Sequence, residues 1–149
     1  MRRGRRAAAL ALVLAACGLK NDPVAPELVR PLPPAKLAAA STRDGVELRW
    51  RRPTAYTGGG RMRDLSGFDV ERAAGAAGPF AKVGTLALGD QQRFRQERDL
   101  AWTDREVEHG TEYVYRVIAF TTDGSRSVPS TSVRIRYVPP SPAASRDDE

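Results

Sequence analysis

The feature that most restricts this chain is an alternation of apolar and polar side chains with a period of two. It is clearest where Val46, Leu48 and Trp50 alternate with charged residues, and no stretch keeps a helical period over ten or more residues. Residues 91–100 are expected to form at most one helical turn. The alternating runs cover residues 46–51, 68–71, 80–86, 113–120 and 133–137, with turn-forming residues between them. Roughly six or seven short strands in about 100 residues predict an all-β fold, a single antiparallel β-sandwich.

The start of the chain has the composition of an export signal. Four arginines lie among the first six residues, and residues 7–16 form a run of ten apolar residues. At about 1.5 Å per residue, this run would cross only about half of a ~30 Å hydrocarbon layer. The pattern therefore predicts a cleaved signal peptide at residues 1–16 rather than a spanning helix.

Cys17 directly follows Leu14-Ala15-Ala16, and this run resembles the lipobox of bacterial lipoproteins. The resemblance implies a diacylglycerol in thioether linkage to Cys17, removal of residues 1–16 and acylation of the new amino terminus. We therefore expect a lipid-anchored protein of the cell envelope, with the bilayer as a partner and no cofactor besides the covalent lipid. Gly18, rather than Asp, follows the cysteine; by resemblance to well-studied lipoproteins this favours the outer membrane. An ordinary cleaved signal with an incidental cysteine is the alternative.

Without the signal, the chain is nearly neutral. Its 24 basic and 18 acidic residues give a net charge of +6, but four of the arginines belong to residues 1–16. The basic character therefore does not indicate a nucleic-acid surface. Because Cys17 is the sole cysteine, no intramolecular disulfide can form, and the domain must be stabilised by its core alone. We expect a monomer.

Two segments flank the alternating region. Residues 17–32 contain the lipidated cysteine and a proline-rich linker, and prolines favour the extended polyproline II conformation. Residues 18–34 would reach roughly 50 Å if fully extended, which predicts a semi-rigid tether. Residues 139–149 contain no apolar side chain larger than Ala or Pro and are expected to be a disordered tail.

Short motifs follow one another in a fixed order along residues 33–138. They are Pro33-Pro34 with Leu37, Val46-x-Leu48-x-Trp50-x-x-Pro53, Gly67-Phe68-x-Val70-x-Arg72, Trp102-Thr103-Asp104 with Val107 and Gly110, Tyr113-x-Tyr115-x-Val117-x-Ala119, and Gly124, Ser127 and Pro129-Ser130. This series resembles a fibronectin type III domain, which implies an immunoglobulin-like sandwich over residues 33–138.

Two aromatic residues have expected places in such a sandwich. Trp50 is large enough to fill the centre between sheets about 10 Å apart. Tyr113 lies three residues after Gly110, the spacing of a tyrosine corner, in which the phenol bonds to backbone upstream. The three glycines at 58–60, followed by Arg61-Met62-Arg63, predict a long and mobile loop.

The sequence offers little for catalysis or metal binding. His109 is the only histidine and precedes Gly110 in a predicted turn, which favours a solvated side chain. Asp69 and Glu71 share one strand face, but they are expected to pair with arginines of neighbouring strands, which are Arg116, Arg134 and Arg136. We predict no catalytic site and no metal site.

One strand face is more apolar than a solvent face should be. It lies on the strand that carries Tyr113 and Tyr115, on the opposite side from these tyrosines. With neighbouring cations it forms a candidate binding face for a protein or glycan, made of Val114, Arg116, Ile118, Phe120, Arg134 and Arg136. Cover by a tail or by the long loop is the competing interpretation.

Three functional hypotheses remain open. The leading one is a non-catalytic envelope lipoprotein whose domain binds a protein or glycan, or acts as a spacer. The second rests on Cys17-Gly18-Leu19-Lys20 with Pro23 and Pro26, which resembles the start of small lipoproteins that assist assembly of the outer-membrane lipopolysaccharide translocon. It would act through residues 17–26, although Asn21-Asp22 departs from the Gly-Pro usual in that family. The third, a glycan hydrolase or its accessory, has no carboxylate to nominate.

Overall fold

The computed structural model describes residues 25–94 and 98–141, and within them seven strands form two antiparallel sheets. The strands are β1 (Ala35–Thr42), β2 (Gly45–Arg51), β3 (Leu65–Ala74), β4 (Ala81–Ala87), β5 (Asp99–Asp104), β6 (Glu112–Thr121) and β7 (Val133–Arg136). A 3-10 helix at Pro26–Val29 precedes β1, and the short helix α1 (Asp90–Phe94) supplies the expected helical turn. The predicted all-β sandwich is confirmed.

The strand order determines which loops meet. One sheet has the order β1-β2-β5 and the other β4-β3-β6-β7. Because the pairing is antiparallel throughout, residues 26–34, the β2–β3 loop at 52–64 and residues 88–94 gather at one end, which we call the strap end. The loop 105–111 and the residues after β7 gather at the opposite end, which we call the tyrosine end.

The core lies between the sheets and consists of the inward residues of the alternating runs. On β2, Val46 and Leu48 are fully buried and Trp50 is 1% exposed. The Trp50 ring meets Phe68 of β3 edge-on, with 5.4 Å between the ring centroids, an arrangement that aromatic pairs favour. The prediction that Trp50 fills the centre of the sandwich is confirmed.

A glycine allows the edge strands β4 and β5 of the two sheets to approach. Gly84 of β4 lies against the indole of Trp102 on β5, and a Cβ atom at position 84 would lie 2.2 Å from Trp102 Cζ2. No side chain fits at that distance, so the close approach of the two strands requires glycine at this position.

The segment before β1 differs from the predicted extended tether. Pro26–Val29 is a 3-10 helix, and Pro31 is among the fully buried side chains. Pro26 begins the helix, where the backbone N–H that proline lacks would have no partner within the helix. On either side of Pro31, the Arg30 carbonyl and the Leu32 N–H form hydrogen bonds to the β2–β3 loop. The prediction of an extended chain is therefore wrong for Pro26–Val29. Residues 26–32, which we call the strap, are attached to the domain by backbone hydrogen bonds.

Several predicted features lie outside the described residues. These are the signal peptide at 1–16, the lipid site Cys17, the linker up to residue 24, and residues 142–149 of the tail. Within residues 25–94 and 98–141, no helix has the length and apolar character needed to cross a bilayer.

Candidate interaction surfaces

The structure places the predicted binding face on the outer side of the four-stranded sheet. Val114, Arg116, Ile118 and Phe120 alternate on β6 with the buried Tyr113, Tyr115, Val117 and Ala119. Arg134 and Arg136 extend the same face onto β7, opposite Val114 and Glu112. The six residues therefore share one face, and whether it binds a partner stays a prediction.

This face is less open than its composition suggested. Ile118 is only 8% exposed, so it cannot serve as an accessible contact residue. The Arg116 guanidinium lies 4.0 Å from the centre of the Phe80 ring, and its Nε donates to Glu71 Oε2 at 2.6 Å. Neighbouring side chains thus cover much of this face. The only apolar side chains of the six that remain open to solvent are the half-buried Val114 and Phe120.

A cross-strand charge cluster surrounds Asp69 on β3. Its Oδ2 accepts from Arg126 Nη2 at 2.6 Å, its Oδ1 accepts from the Thr85 hydroxyl at 2.6 Å, and Lys82 Nζ lies 3.7 Å away. Burial raises the pKa of Asp69, but the hydrogen bonds from Thr85 and Arg126 and the positive charges outweigh burial, and the net pKa lies below its ordinary value. Asp69 is therefore an internal acceptor of the sheet.

The predicted charge pairing is confirmed in one case and wrong in the others. Glu71 pairs with Arg116, directly opposite it on β6. Arg134 instead lies 3.6 Å from Glu112, and Arg136 donates to the Gly110 carbonyl at 2.8 Å. The reason is register: β7 pairs only with residues 112–115 of β6, so its arginines do not reach the carboxylates of β3.

A buried polar network at the tyrosine end was missed by the sequence analysis. Asp104 is 3% exposed; its Oδ2 accepts from Arg72 Nη1 at 2.7 Å and from the Tyr115 hydroxyl at 2.9 Å. Its Oδ1 accepts from the Glu106 backbone N–H at 3.0 Å. A signal was present, because Arg72 and Asp104 continue the inward positions of their strands and opposite charges there predict a buried pair.

The surroundings raise the pKa of two members of this network, Arg72 and Tyr115. Burial lowers the pKa of Arg72, but the hydrogen bond and the charge of Asp104 outweigh it and leave the pKa above its ordinary value. Burial, followed by the charge of Asp104, raises the pKa of Tyr115 far above the ordinary phenol range. Both oxygens of Asp104 are engaged by donors of the domain itself, so the network stabilises the fold and presents no group for catalysis.

The tyrosine corner is confirmed. The Tyr113 hydroxyl accepts from the Glu108 backbone N–H at 3.0 Å, and the Arg72 guanidinium lies 5.0 Å from the centre of the Tyr113 ring. His109 is exposed in the adjoining turn, as expected. The described residues contain no group of three or more His, Cys, Asp or Glu side chains that could hold a metal ion.

At the strap end, the contacts are mainly between backbone groups. The Leu32 N–H donates to the Ala55 carbonyl at 3.1 Å, the Thr57 N–H to the Arg30 carbonyl at 2.8 Å, and the Gly58 N–H to the Leu28 carbonyl at 2.9 Å. A Cβ at Gly58 would lie 2.9 Å from the Leu28 carbonyl oxygen, so this approach also favours glycine. The strap is therefore fixed to the β2–β3 loop by a short ladder of hydrogen bonds.

The β2–β3 loop is itself folded, contrary to the predicted mobile loop. The Tyr56 N–H donates to the Gly60 carbonyl and the Met62 N–H to the Thr54 carbonyl, both at 2.9 Å. Met62 is 8% exposed and joins the core, and the Tyr56 hydroxyl donates to Asp64. The three glycines allow a tight turn, while Met62 attaches the returning chain to the core.

Comparison with solved structures identifies the architecture. The fourth fibronectin type III domain of a human protein is 20% identical with a TM-score of 0.52, over 78% of this chain and 86% of that chain. A multidomain titin fragment is 26% identical with a TM-score of 0.52, over 72% of this chain and 32% of that chain. The twitchin kinase region from C. elegans is 19% identical with a TM-score of 0.52, over 74% of this chain and 17% of that chain.

These matches concern one domain of the larger proteins, because the chain spans only 17% of the twitchin region and 32% of the titin fragment. No protein-family model and no curated protein sequence matches the chain. The similarities show that the sandwich has the fibronectin type III fold.

Proposed function

We propose that this protein is a lipid-anchored component of the cell envelope whose fibronectin type III domain binds a protein or glycan, or acts as a spacer, without catalysis. The observation that carries the proposal is the fold, a single sandwich of the kind used as a binding or spacer module. The internal engagement of Asp69 and Asp104 supports it, because the two most buried carboxylates both stabilise the sheets.

The anchor in this proposal is acylated Cys17, with residues 1–16 removed and the outer membrane as the location. The support is the sequence alone, namely the lipobox-like run and the glycine at position 18. A domain attached to a bilayer is restricted to one surface, which raises its effective concentration there. The acyl chains expected on Cys17 would together hold it stably, which one chain alone would not.

The anchor is tested by intact-mass analysis of the protein purified from envelopes. The expected mass is that of residues 17–149 with a diacylglyceryl group and an amide-linked acyl chain. The Cys17→Ser variant serves as the control and is expected to lose the lipid mass and leave the membrane fraction. A free thiol on a membrane-associated mature chain, or a mature form that still begins at Met1, would contradict the proposal.

The binding surface is tested separately by proximity labelling from the anchored protein. Val114→Asp combined with Phe120→Asp places charge on the open part of the predicted face, while Ile118 is left unchanged because it is buried. The matched control is Val138→Asp, at a residue 50% exposed beyond β7. The set of labelled proteins is expected to change for the double variant only; an unchanged set with a folded domain excludes this face.

Assembly of the outer-membrane translocon through residues 17–26 is the alternative, favoured by the likeness of Cys17-Gly18-Leu19-Lys20 to that family. Deletion of residues 31–149 separates the two functions. The assembly function would survive this deletion, whereas the function of the sandwich would be lost.

A further inference from the structure

The strap presents aliphatic side chains to solvent. Leu28, Val29 and Leu32 are 47%, 38% and 40% exposed, and they are three of the five large apolar residues exposed within the described ranges. Of the other two, Val138 follows β7 at the tyrosine end, and Val128 lies in the segment between β6 and β7, which begins at the strap end. Exposed apolar surface is therefore concentrated in five consecutive residues at the strap end.

The fixed position of the strap gives this surface a defined direction. Pro31 is buried against the domain and forms an isolated β-bridge with Tyr56. Because successive residues of extended chain point to opposite sides, Arg30 and Leu32 point away from the domain. The exposed side chains thus belong to a surface of the folded domain.

Cationic side chains accompany the aliphatic ones. Arg30, Arg61 and Arg63 are exposed and form no ion pair with any residue of the described ranges. Arg61 is bridged to Ala55, whose carbonyl accepts the Leu32 N–H, so it belongs to the same ladder as the strap. Glu27 is the one acidic residue in the strap. Aliphatic side chains next to unpaired arginines match the boundary between acyl chains and anionic headgroups.

We propose that the strap end docks on the phospholipid bilayer, with Leu28, Val29 and Leu32 at the headgroup–acyl boundary and the three arginines on anionic headgroups. This inference rests on the proposed anchor at Cys17. Eight residue steps separate Cys17 from Ala25, which limits their distance to about 28 Å even in a fully extended chain. The strap is thus the part of the described domain that the anchor holds nearest to the membrane.

The size of the surface favours a bilayer over a protein as its occupant. Three partly exposed aliphatic side chains supply only a small part of the ~800 Å² that each partner contributes to a stable protein interface. For a domain that is already anchored, the same side chains are sufficient to select an orientation. The tyrosine end, with loop 105–111, then faces away from the membrane.

The test attaches the chain to vesicles through the thiol of Cys17, the only thiol in the sequence. Every contact described for the sandwich is made within residues 25–141, so a chain that begins at Cys17 retains all of them. The vesicles contain phosphatidylethanolamine, phosphatidylglycerol and a maleimide-bearing lipid, with or without brominated acyl chains, which quench nearby tryptophan. The probe variant is Val29→Trp, and the matched control is Val138→Trp at the tyrosine end.

Relative to the parent protein, which carries Trp50 and Trp102, the emission added by Val29→Trp is expected to fall about twofold on brominated vesicles, because docked side chains reach ~5–10 Å into the boundary. The emission added by Val138→Trp should not change. Equal quenching of the two variants, or no quenching of Val29→Trp, overturns the proposal.

The arginines are tested in the Val29→Trp background by Arg30→Ser, Arg61→Ser and Arg63→Ser together. The quenching is expected to decrease and to lose its dependence on phosphatidylglycerol; quenching that never depended on phosphatidylglycerol overturns the role of the arginines. Because the anchor is imposed chemically, these results do not depend on whether the cell acylates Cys17. A failure of the docking is therefore distinguishable from a failure of the proposed anchor.

Discussion

The two ends of the sandwich are stabilised in different ways. At the tyrosine end, buried side chains bond to one another, and Asp104 alone accepts from Arg72, Tyr115 and the Glu106 backbone. At the strap end, backbone groups of residues 28–32 bond to backbone groups of residues 55–58. Side-chain networks are sensitive to each member, whereas backbone ladders tolerate different side chains. The strap end can therefore vary its outward residues without loss of its fold, which suits a surface that contacts something else.

The sharpest test of this difference is Asp104→Ala. The substitution leaves the largely buried Arg72 without its carboxylate partner, and breaking such a pair is strongly destabilising. Urea denaturation is expected to show a decrease in the free energy of unfolding of about 3 kcal/mol. The control is Glu47→Ala, which removes an exposed partner of Arg49 and should cost less than about 1 kcal/mol. Equal losses in the two variants would contradict the comparison.

Tyr113→Phe tests the same end with a smaller change. It removes the acceptor of the partly buried Glu108 N–H and keeps the ring beneath Arg72. An expected decrease of about 1–2 kcal/mol in unfolding free energy follows from leaving a backbone donor unsatisfied. Tyr137→Phe, which removes only a longer 3.3 Å bond to the Thr42 carbonyl, should have less effect in the same denaturation experiment. The reverse order would show that the corner does not stabilise this end.

Gly58→Val tests the strap end. The added side chain would collide with Leu28 and displace the strap, because its Cβ would lie 2.9 Å from the Leu28 carbonyl oxygen and 3.0 Å from the Leu28 Cβ. Only a few exposed hydrogen bonds are lost, so the free energy of unfolding should fall by no more than about 1 kcal/mol. Amide hydrogen exchange at Thr57 and at the substituted position 58 should nevertheless accelerate strongly.

Gly60→Val is the matched control for the strap, since a Cβ there meets only Tyr56 Cδ2, at an ordinary 3.6 Å. Exchange at Thr57 should remain slow in that variant. If Gly58→Val unfolds the whole domain, the strap is part of the cooperative core and the comparison between the ends fails.

The smallest expected effect appears only in alkaline solution. Tyr56 at the strap end and Tyr115 at the tyrosine end both donate to a carboxylate. The hydrogen bond to Asp64, followed by partial burial, raises the pKa of Tyr56 from 10.0 to about 12, and the pKa of Tyr115 is raised further. Ultraviolet titration should show Tyr56 ionising near pH 12, before Tyr115, and Tyr56→Phe should remove that step.

The sign of the corresponding stability change follows from the direction of the shift. A tyrosine whose pKa is raised in the folded state contributes stability that is fully present below the unfolded pKa of about 10. This contribution is lost as the pH rises through the folded pKa. Unfolding free energy should therefore decline between these two values, and less steeply in Tyr56→Phe. Ionisation of Tyr115 before Tyr56 would contradict the stronger burial assigned to the tyrosine end.

Features that depend on a short pattern of neighbouring residues were predictable from the sequence. The alternation of Val46, Leu48 and Trp50 identified β2 and its buried face, and the spacing of Gly110 and Tyr113 identified the corner. These predictions succeeded because each depends on residues close together in one strand or turn. The shared face of the six candidate binding residues followed from the same alternation.

Features that depend on contacts between distant segments were not predicted. The prolines of the strap were interpreted by what they prevent, although Pro31 also supplies a buried apolar ring. Arg72 and Asp104 were identified only as members of two separate motifs, because their partnership joins β3 to β5 across the core. The near-complete burial of Ile118 depends on side chains of neighbouring strands, which no single run of sequence contains.

The attachment of the strap to the β2–β3 loop also has a mechanical consequence. A tension applied through the amino-terminal side of Ala25 loads the bonds of Leu28, Arg30 and Leu32 to the β2–β3 loop before it reaches β1. These hydrogen bonds can break one after another, and the strap can then extend while the sheets remain intact. The strap would then be the first part of the domain to yield under tension, before the hydrogen bonds of the two sheets.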